Sequence, residues 1–344
     1  MIIPFFINNR GCPHRCIFCN EKMIAGDRPE EITASYISET VNLFLSKASH
    51  KKNIQIAFYG GNFTGMDRAT QERFLSYTAP FIENGSVDSL RISTRPDAID
   101  EERLVLLQAS GVKAVEIGVQ SMDDEVLERS KRGHTAADVI RAVAILKERG
   151  FETGVHLMAG LPGDNEERFN RTVEEIIALA PASVRIHPVI VFRDTELAEM
   201  FTAGEYKPLS IDDAVCLCKE AVKKFQAAGI PVIRLGLQTT SEMEQPGGIL
   251  AGPYHPAFGA LVYESMFADM AISLLSEKKT LGTKIVFRIS PQDVSHLRGH
   301  RNRNLKSIME RFGLDDITVI SDPQQMRGEI SLLENDGCTL QSRI

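Results

Sequence analysis

The chain has 344 residues, which is enough for one large domain and a smaller one. Of these residues, 43% are hydrophobic and 25% are charged, a composition typical of a globular protein. Its formal net charge of −7 excludes a general attraction to nucleic acid, so an RNA-binding surface would have to be a local basic patch. No apolar run approaches the ~20 residues that cross a bilayer, and the N-terminus shows no signal-peptide pattern. Six cysteines without regular pairing argue against a secreted disulfide scaffold. We therefore expect a cytoplasmic protein without a membrane partner.

Strand and helix patterns alternate about six times in the first part of the chain. Alternating or continuous apolar runs predict strands at 2–7, 54–59, 90–94, 115–119, 153–158, 184–191 and 232–237. Helical spacing predicts helices at 33–49, 68–82, 100–110, 135–149, 165–179 and 211–228. This alternation favours an α/β fold of parallel β/α units, in a barrel-like array whose reactive groups collect at the carboxyl ends of the strands.

The remainder of the chain breaks this rhythm. Residues 238–270 are rich in glycine and proline and predict a long loop that runs into a helix at 261–276. Strands are predicted at 285–289, 317–320 and 329–332, with two short helices between the first two, and residues 334–344 are expected to be frayed. The predicted organisation is a large β/α domain at 1–237, a loop-and-helix connector at 238–276 and a small C-terminal α/β domain at 277–344.

Three cysteines with the spacing C-x3-C-x2-C follow the first predicted strand: Cys12, Cys16 and Cys19. Thiolates hold iron–sulfur clusters and zinc, and a closed structural site normally takes four protein ligands. Three ligands and a vacancy predict a metal centre with an open position for a small molecule. A chance cluster of reduced cysteines would favour apolar neighbours, which the adjacent glycine, proline, histidine and arginine are not. A zinc site stays an alternative, although its usual second cysteine pair is missing.

The motif, with Phe18 directly before its third cysteine, resembles the fingerprint of the radical S-adenosylmethionine (SAM) superfamily. The resemblance implies a partial (β/α)6 barrel and a [4Fe–4S] cluster on the three cysteines, with SAM bound to its fourth iron. It also implies that a donor such as flavodoxin or ferredoxin supplies an electron. SAM is then cleaved to methionine and a 5′-deoxyadenosyl radical, which abstracts hydrogen from a substrate.

Further motifs at the strand ends resemble the radical-SAM half of the catalytic Elongator subunit and, more loosely, the anaerobic coproporphyrinogen dehydrogenases. By this resemblance Gly60 and Gly61 bind the SAM amino group through their backbone, and Gln120 contacts the ribose. Ser93 replaces the glutamate of the Elongator motif, whereas His156 matches Elongator and differs from the aspartate of the porphyrinogen enzymes. The SAM site implied in this way consists of Phe18, Gly60, Gly61, Asn62, Ser93, Arg95, Gln120, Arg132 and His156, in which Arg95 and Arg132 hold the carboxylate.

Each of these residues also has an ordinary structural interpretation. A glycine pair after a strand is commonly a turn, an arginine is commonly a solvated surface charge, and a glutamine at a strand end is commonly a satisfied polar group. A lone histidine is most often a hydrogen-bonded interior residue. The functional interpretation therefore depends on whether the fold brings these residues together.

The C-terminal part carries a local basic patch. Residues 284–311 contain seven lysines and arginines against two acidic residues. A basic loop with Arg298, Arg301 and Arg303 lies between two predicted helices and resembles the loop of a KH-type RNA-binding module, in which Asn302 replaces the second glycine. A small solvated α/β appendage is the alternative. His255 lies in a turn rich in glycine and proline, and with the three arginines it is a candidate substrate contact.

The predicted substrate is RNA, namely a tRNA base near the wobble position. The alternatives are a radical SAM enzyme acting on a tetrapyrrole or other small metabolite, and a non-catalytic zinc- or RNA-binding protein. Nothing in these residues supplies the acyl-CoA site of Elongator, so its full reaction cycle is not expected.

Overall fold

The computed structural model describes residues 1–7, 10–13, 15–26, 31–47, 52–278, 282–333 and 339–344. The chain forms two compact units, Met1–Ala214 with Ala227–Pro256, and Val215–Gln226 with Ala257–Ile344. The helix that the sequence analysis assigns to a connector belongs to the second unit in this division. The limits of the domains as independently folding parts stay a prediction.

The first unit is built on a sheet of seven parallel strands that curls into a half-barrel. Its strands are β1 (Ile2–Phe6), β2 (Gln55–Tyr59), β3 (Ser89–Thr94), β4 (Val112–Gln120), β5 (Glu152–Ala159), β6 (Ser183–Pro188) and, after the short β7 (Val191–Phe192), β8 (Val232–Leu235). Each strand of the sheet pairs in parallel with the next one along the chain. The predicted α/β fold with a partial barrel is therefore confirmed.

Helices connect the strands of this unit. They are α1 (Glu21–Ala25), α2 (Ala34–Lys47), α3 (Arg68–Glu83), α4 (Glu101–Ala109), α5 (Asp124–Arg129), α6 (Ala136–Glu148), α7 (Glu166–Leu179), α8 (Glu196–Thr202), α9 (Ile211–Ala227, of which Val215–Gln226 belongs to the second unit) and α10 (Ser241–Glu244). The side chains of Asp67, Asp100 and Asn165 accept backbone N–H bonds at the starts of α3, α4 and α7, which fixes these starts. Four of these helices, α1, α5, α8 and α10, are not predicted from the sequence, because helices of four to seven residues show no clear 3.6-residue period.

The two faces of the sheet differ in polarity. One face is apolar and fully buried, as at Phe58 on β2, Ile117 on β4 and Ile186 on β6. Side chains on the other face bond across the half-barrel, as when Arg185 on β6 donates to Tyr59 on β2 at 3.0 Å. This inner face is polar, with Gln55, Tyr59, Arg91, Glu116, His156, Arg185, His187 and Arg234. A closed (β/α)8 barrel is filled by branched apolar side chains, so the polar inner face indicates a binding surface.

The helix expected at 261–276 is confirmed, as Phe258–Ser276, but the expectation of an unbroken long loop before it is wrong. The segment contains α10 and β9 (Ile249–Ala251), which pairs with β7 in an antiparallel ribbon. Thr240 caps α10 and donates from its hydroxyl to the carbonyl of Met23 at 2.6 Å, which attaches the segment to α1. A three-residue strand has no recognisable period, so its partner in the tertiary structure decides its conformation.

The second unit has a four-stranded sheet with β10 (Lys284–Ile289) next to β11 (Asp316–Ser321) and β12 (Glu329–Leu333), and with β13 (Thr339–Arg343) at one edge. Its other helices besides part of α9 are α11 (Phe258–Ser276), α12 (Val294–Arg298) and α13 (Arg303–Phe312). The expected fraying is wrong for Thr339–Arg343, which pairs with β12 in an antiparallel register. Residues 334–338 lie outside the described residues.

Among the described helices, α11 is long and apolar enough to cross a membrane by length and composition. Half of its apolar window is buried, and Phe267, Ala271 and Leu275 pack with Phe287 and Ile289 in the core of the second unit. Burial of this kind is typical of the core helix of a folded domain.

Phe58 gives a direct test of the core behind the sheet. Its side chain is fully buried, with ring centroids 5.3 Å from Phe63 and 5.9 Å from Phe74. Phe58→Ala should lower the free energy of unfolding by about 3–5 kcal/mol through lost burial and a cavity, as measured by urea denaturation. Val105→Ala on α4 is the control, because Val105 is 55% exposed and should change the same quantity by less than about 0.5 kcal/mol. Equal effects of the two substitutions would contradict this account of the core.

Candidate functional site

The cysteine loop lies between β1 and α1 and is attached to distant parts of the first unit. The backbone of Ile17 donates to the carbonyl of Ser130 at 3.3 Å and accepts from the amide of Leu197 at 2.9 Å. The side-chain amide of Asn20 donates to the carbonyl of Arg193 at 2.8 Å. These partners lie more than a hundred residues away in sequence, so tertiary contacts fix the conformation of the loop.

Asn62 joins this loop to the ends of β2 and β3. Its Nδ2 donates to the carbonyl of Gly11 at 2.8 Å, and its Oδ1 accepts from the hydroxyl of Thr94 at 2.6 Å and the amide of Arg95 at 3.2 Å. A Cβ at Gly65 would lie 2.1 Å from Nδ2, so only glycine leaves room for the Asn62 side chain. Asn62 thus positions the loop, and a contact between it and SAM stays a prediction.

The three thiols lie in one electrostatic neighbourhood. Cys16 is buried, Cys12 and Cys19 are half-buried, and the described cysteines form no disulfide. Burial, followed by the negative charge of Glu21 and the neighbouring thiols, raises the pKa of Cys12 to about 11 and that of Cys19 to about 12. These two side chains are therefore neutral thiols at pH 7, and metal binding has to release their protons.

Two buried arginines stand next to the thiols. Arg132 is 6% exposed and donates from Nη1 to Cys16 Sγ at 3.0 Å and from Nη2 to the carbonyl of Gly118. Arg95 forms a bidentate pair with Asp97 at 2.9 and 3.0 Å and also donates to the carbonyl of Arg132. Its Nη1 is buried without a hydrogen-bond partner among the described residues. An unsatisfied buried N–H is unfavourable, so this group indicates an acceptor supplied by a ligand.

Gln120 ends β4 in the left-handed region, at φ +71°, and its Oε1 is buried without a partner among the described residues. A Cβ on Gly118 would lie 3.2 Å from Gln120 Nε2 and 3.3 Å from Arg132 Nη2. Gly118 therefore allows both side chains to approach the end of the strand. Backbone strain together with an unsatisfied polar atom is typical of a ligand-binding position.

The predicted glycine pair packs closely against the first strand and the cysteine loop. Gly60 has φ +76°, and a Cβ at Gly61 would lie 2.9 Å from Ile7 Cγ1 and 3.0 Å from the carbonyl of Arg10. The backbone of the pair therefore approaches the start of the loop more closely than any side chain would allow.

The other three predicted SAM contacts lie further along the sheet or in its packing. Phe18 packs against an apolar cluster that includes Met158, and Ser93 is half-buried in register with Glu116 on the inner face. His156 also lies on the inner face, where burial, followed by the neighbouring His187 and Arg185, holds its pKa well below the ordinary value. The structure thus places Arg132 at Cys16, with Arg95 and Gln120 beside Arg132, whereas His156 lies on the inner face next to Arg185.

The predicted substrate residues belong to two different units. His255 is half-buried in the first unit. In the second unit Arg298 ends α12 and is half-buried, whereas Arg301, between the two helices, and Arg303, the first residue of α13, are exposed. Arg301 and the following residue both have a left-handed backbone, with φ +53° and +61°.

Sequence reasoning missed several residues that shape the site. Gly65 had a weak signal in its spacing from Gly60-Gly61, but only the close approach to Asn62 shows its role. His134 is buried at hydrogen-bond distance from the carbonyl of Val119, 3.2 Å away. Burial, followed by the charge of Arg132, lowers its pKa to about 3, so it is a neutral residue at pH 7. No pattern in the sequence distinguishes it from an exposed histidine.

The residues present fit a [4Fe–4S] cluster with SAM. Thiolates are the ligands of such clusters, and the two arginines with the unsatisfied Oε1 of Gln120 offer charge and hydrogen bonds to a polar ligand. Among the described residues no three His, Cys, Asp or Glu side chains converge on one metal ion.

Asn62→Ala tests the attachment of the loop. It removes three hydrogen bonds of a side chain that is buried together with Thr94 and Arg95, so the free energy of unfolding should fall by about 2–3 kcal/mol in urea denaturation. Asn42→Ala on α2 is the matched control, because Asn42 is exposed and makes a single 3.5 Å bond to Ser38, so its change should stay below about 0.5 kcal/mol. If Asn62→Ala lowers the free energy of unfolding no more than Asn42→Ala does, the positioning role of Asn62 is contradicted.

Comparisons with known proteins agree with the geometry. A model of the radical SAM superfamily matches residues 8–176, and a model of the radical SAM C-terminal domain matches residues 181–268. These two matches together include every predicted cluster and SAM residue.

A tRNA uridine(34) acetyltransferase of Methanocaldococcus jannaschii is 31% identical over 62% of this chain and 47% of its own length. Elongator complex protein 3 of Homo sapiens is 33% identical over 37% of this chain and 24% of its own. The solved archaeal Elp3 of Methanocaldococcus infernus, with an N-terminal deletion, is 26% identical with a TM-score of 0.55 over 77% of this chain and 62% of that one. This chain thus spans about half the length of the curated acetyltransferases it matches. On the family models, these relatives and the arrangement of its thiols, the chain belongs to the radical SAM superfamily.

Proposed function

We propose that this radical SAM enzyme holds a [4Fe–4S] cluster on Cys12, Cys16 and Cys19 and uses SAM to modify a tRNA base. When bound, the cluster supplies the electron that cleaves SAM to methionine and a 5′-deoxyadenosyl radical, which abstracts hydrogen from the substrate. The observation that carries this proposal is the pair of buried guanidiniums at the thiols, one donating to Cys16 and the other with an unsatisfied N–H.

The chain's own residues would bind and orient SAM. Arg95 and Arg132 are suited to its carboxylate, because a guanidinium binds a planar carboxylate through two parallel bonds. Gln120 Oε1 would accept from a ribose hydroxyl, which would satisfy an otherwise unpaired buried oxygen. The backbone at Gly60 and Gly61 would take the amino group. Phe18, Ser93 and His156 stay predicted contacts with weaker geometric support.

A tRNA substrate is supported by the relatives and by the basic loop. The curated relatives that the chain matches over about half their length are named as acting on uridine 34 of tRNA. In the second unit Arg301 and Arg303 are exposed on a loop whose left-handed backbone at Arg301 is costly for a residue with a side chain. We propose that this loop contacts the RNA backbone, with Arg298 beside it. A cytoplasmic location and a flavodoxin or ferredoxin as electron donor accord with this function.

The inner face does not favour the tetrapyrrole alternative. His156 takes the position at which the porphyrinogen enzymes have aspartate, and burial keeps this histidine neutral, so it offers no negative charge to a pyrrole nitrogen. The superfamily match in turn favours an enzyme over a binding protein that has lost its chemistry.

Replacement of each motif cysteine tests the cluster. Cys12→Ala, Cys16→Ala and Cys19→Ala should each lose the brown visible absorption after anaerobic reconstitution, and also the 5′-deoxyadenosine formed with SAM and dithionite, because a thiolate ligand is missing. Cys216→Ala is the control, since Cys216 is exposed on α9 and should leave both readouts unchanged. Retention of the absorption in any of the three motif variants would refute the proposed ligand set.

The basic loop is tested by salt-dependent tRNA binding. Arg301→Ala/Arg303→Ala should weaken binding and reduce the slope of log K against log salt by about two, because two phosphate contacts are lost. Arg327→Ala/Arg343→Ala removes two other exposed arginines of the second unit and should leave the slope unchanged. Equal slopes for the basic-loop variant and the unmodified protein would refute RNA binding by this loop.

A further inference from the structure

A basic cluster lies on the inner face of the half-barrel, outside the arginines proposed to bind SAM. Arg185 on β6 and Arg234 on the edge strand β8 are direct neighbours in the register of these strands. His156 on β5 is the neighbour of Arg185 on its other side, and His187 lies 4.5 Å from His156 between ring centroids. We call Arg185, His187 and Arg234 the inner-face cluster.

The carboxylates of the inner face do not neutralise this cluster. Arg185 donates from Nη2 to Glu116 at 2.9 Å, but Glu116 also accepts from Arg91 at 3.0 Å, so one buried carboxylate is shared by two guanidiniums. The second carboxylate, that of Glu152, lies 3.7 Å from Arg91 and is largely exposed. No carboxylate of the described residues lies within 4.0 Å of Arg234, whose bond to Gln238 is long at 3.5 Å.

The cluster therefore keeps an excess of positive charge and of donors. Arg234 is exposed over part of its side chain, and burial of the rest, followed by the charge of Arg185, lowers the pKa of Arg234 below its ordinary value, as expected for two neighbouring cations. Arg185 Nε is buried without a hydrogen-bond partner among the described residues. His187 is buried and neutral at pH 7, because burial and the two arginines lower its pKa to about 4, so it adds an N–H donor or an acceptor and no repulsive charge.

We propose that Arg185 and Arg234, with His187 beside them, bind an oxyanion, the carboxylate or phosphate of a substrate group that enters the half-barrel. An oxyanion would pair with the unsatisfied Nε of Arg185 and would relieve the repulsion between the two guanidiniums. The guanidinium fork suits both carboxylate and phosphate.

Two sources could supply this oxyanion, a nucleotide phosphate of the RNA or a small free anion. Only the nucleotide source rests on the proposed function, because the geometry of the cluster does not depend on what is modified. His156, one of the predicted SAM contacts, is the neighbour of Arg185 in the register of β5 and β6, so a group held by the cluster would lie next to that residue.

The test is equilibrium binding to the full chain by calorimetry at constant ionic strength, with uridine 5′-monophosphate, uridine, inorganic phosphate and acetate as separate probes. Uridine 5′-monophosphate should bind and uridine, which lacks the oxyanion, should bind at least about tenfold more weakly. Arg185→Gln and Arg234→Gln should each weaken binding of the monophosphate at least about tenfold. The affinity of Arg234→Lys should lie between that of Arg234→Gln and that of the unmodified protein. Arg141→Gln is the control, because Arg141 is exposed on α6 and should leave the affinity unchanged.

Arg185 also donates hydrogen bonds to Glu116 and Tyr59, so Arg185→Gln could lose stability as well as binding. Cooperative thermal unfolding of this variant therefore has to be shown before its affinity is interpreted. Arg234 is exposed and bonds only weakly to Gln238, so Arg234→Gln carries the test if the other variant does not fold. Equal binding of uridine and its monophosphate, together with affinities for phosphate and acetate that neither substitution changes, would overturn the inference.

The outcomes separate the two sources and the proposed function. Tighter binding of the monophosphate than of inorganic phosphate supports a nucleotide source, and equal binding supports a small free anion, each with the same cluster. Oxyanion binding by a protein that makes no 5′-deoxyadenosine would support this site and refute the proposed function. Formation of 5′-deoxyadenosine without any oxyanion binding would refute this site alone.

Discussion

The site depends on how a short glycine-containing loop is held against the ends of the parallel strands. Asn62 is the central contact, because one side chain bonds to the carbonyl of Gly11 and to the end of β3. The loop carries three thiols that interact electrostatically with one another, and burial raises the pKa of Cys12 and of Cys19. Rigid attachment before metal binding means that less conformational entropy is lost when the ligands are ordered.

Charge is distributed unevenly around these thiols. Arg132 and Arg95 are almost fully buried, and Asp97 is the one carboxylate of the described residues that pairs with Arg95. Burying a guanidinium N–H without an acceptor is unfavourable in free energy, and proteins keep such a group where a ligand supplies the missing acceptor. The same principle applies to the inner face of the sheet, where Arg91 and Arg185 both donate hydrogen bonds to the single carboxylate of Glu116. The inner face thus carries the three arginines Arg91, Arg185 and Arg234 against the buried Glu116 and the largely exposed Glu152, in a chain whose net charge is negative.

The second unit shows how the same chain obtains a basic surface without a basic composition. Asn304 bonds to the carbonyls of Glu264 and His296, which fixes the start of α13 beside α11 and α12. Arg301 then lies on an exposed, left-handed backbone between the two short helices. The predicted order of strand, helix, loop, helix and strand is found at β10, α12, α13 and β11, while the KH-like function of the loop stays a prediction.

The sequence by itself determined the β/α alternation, the long helices and the cysteine spacing, because these depend on local periods and on ligand chemistry. Only the tertiary structure decided which polar atoms lack partners, such as Arg95 Nη1 and Gln120 Oε1, and that Arg185 and Arg234 lie side by side. It also decided that Thr339–Arg343 is a strand, since an edge strand takes its conformation from its partner. The reason is common to all three: residues distant in sequence meet only when the strands are in register, and a local pattern contains no information about that pairing.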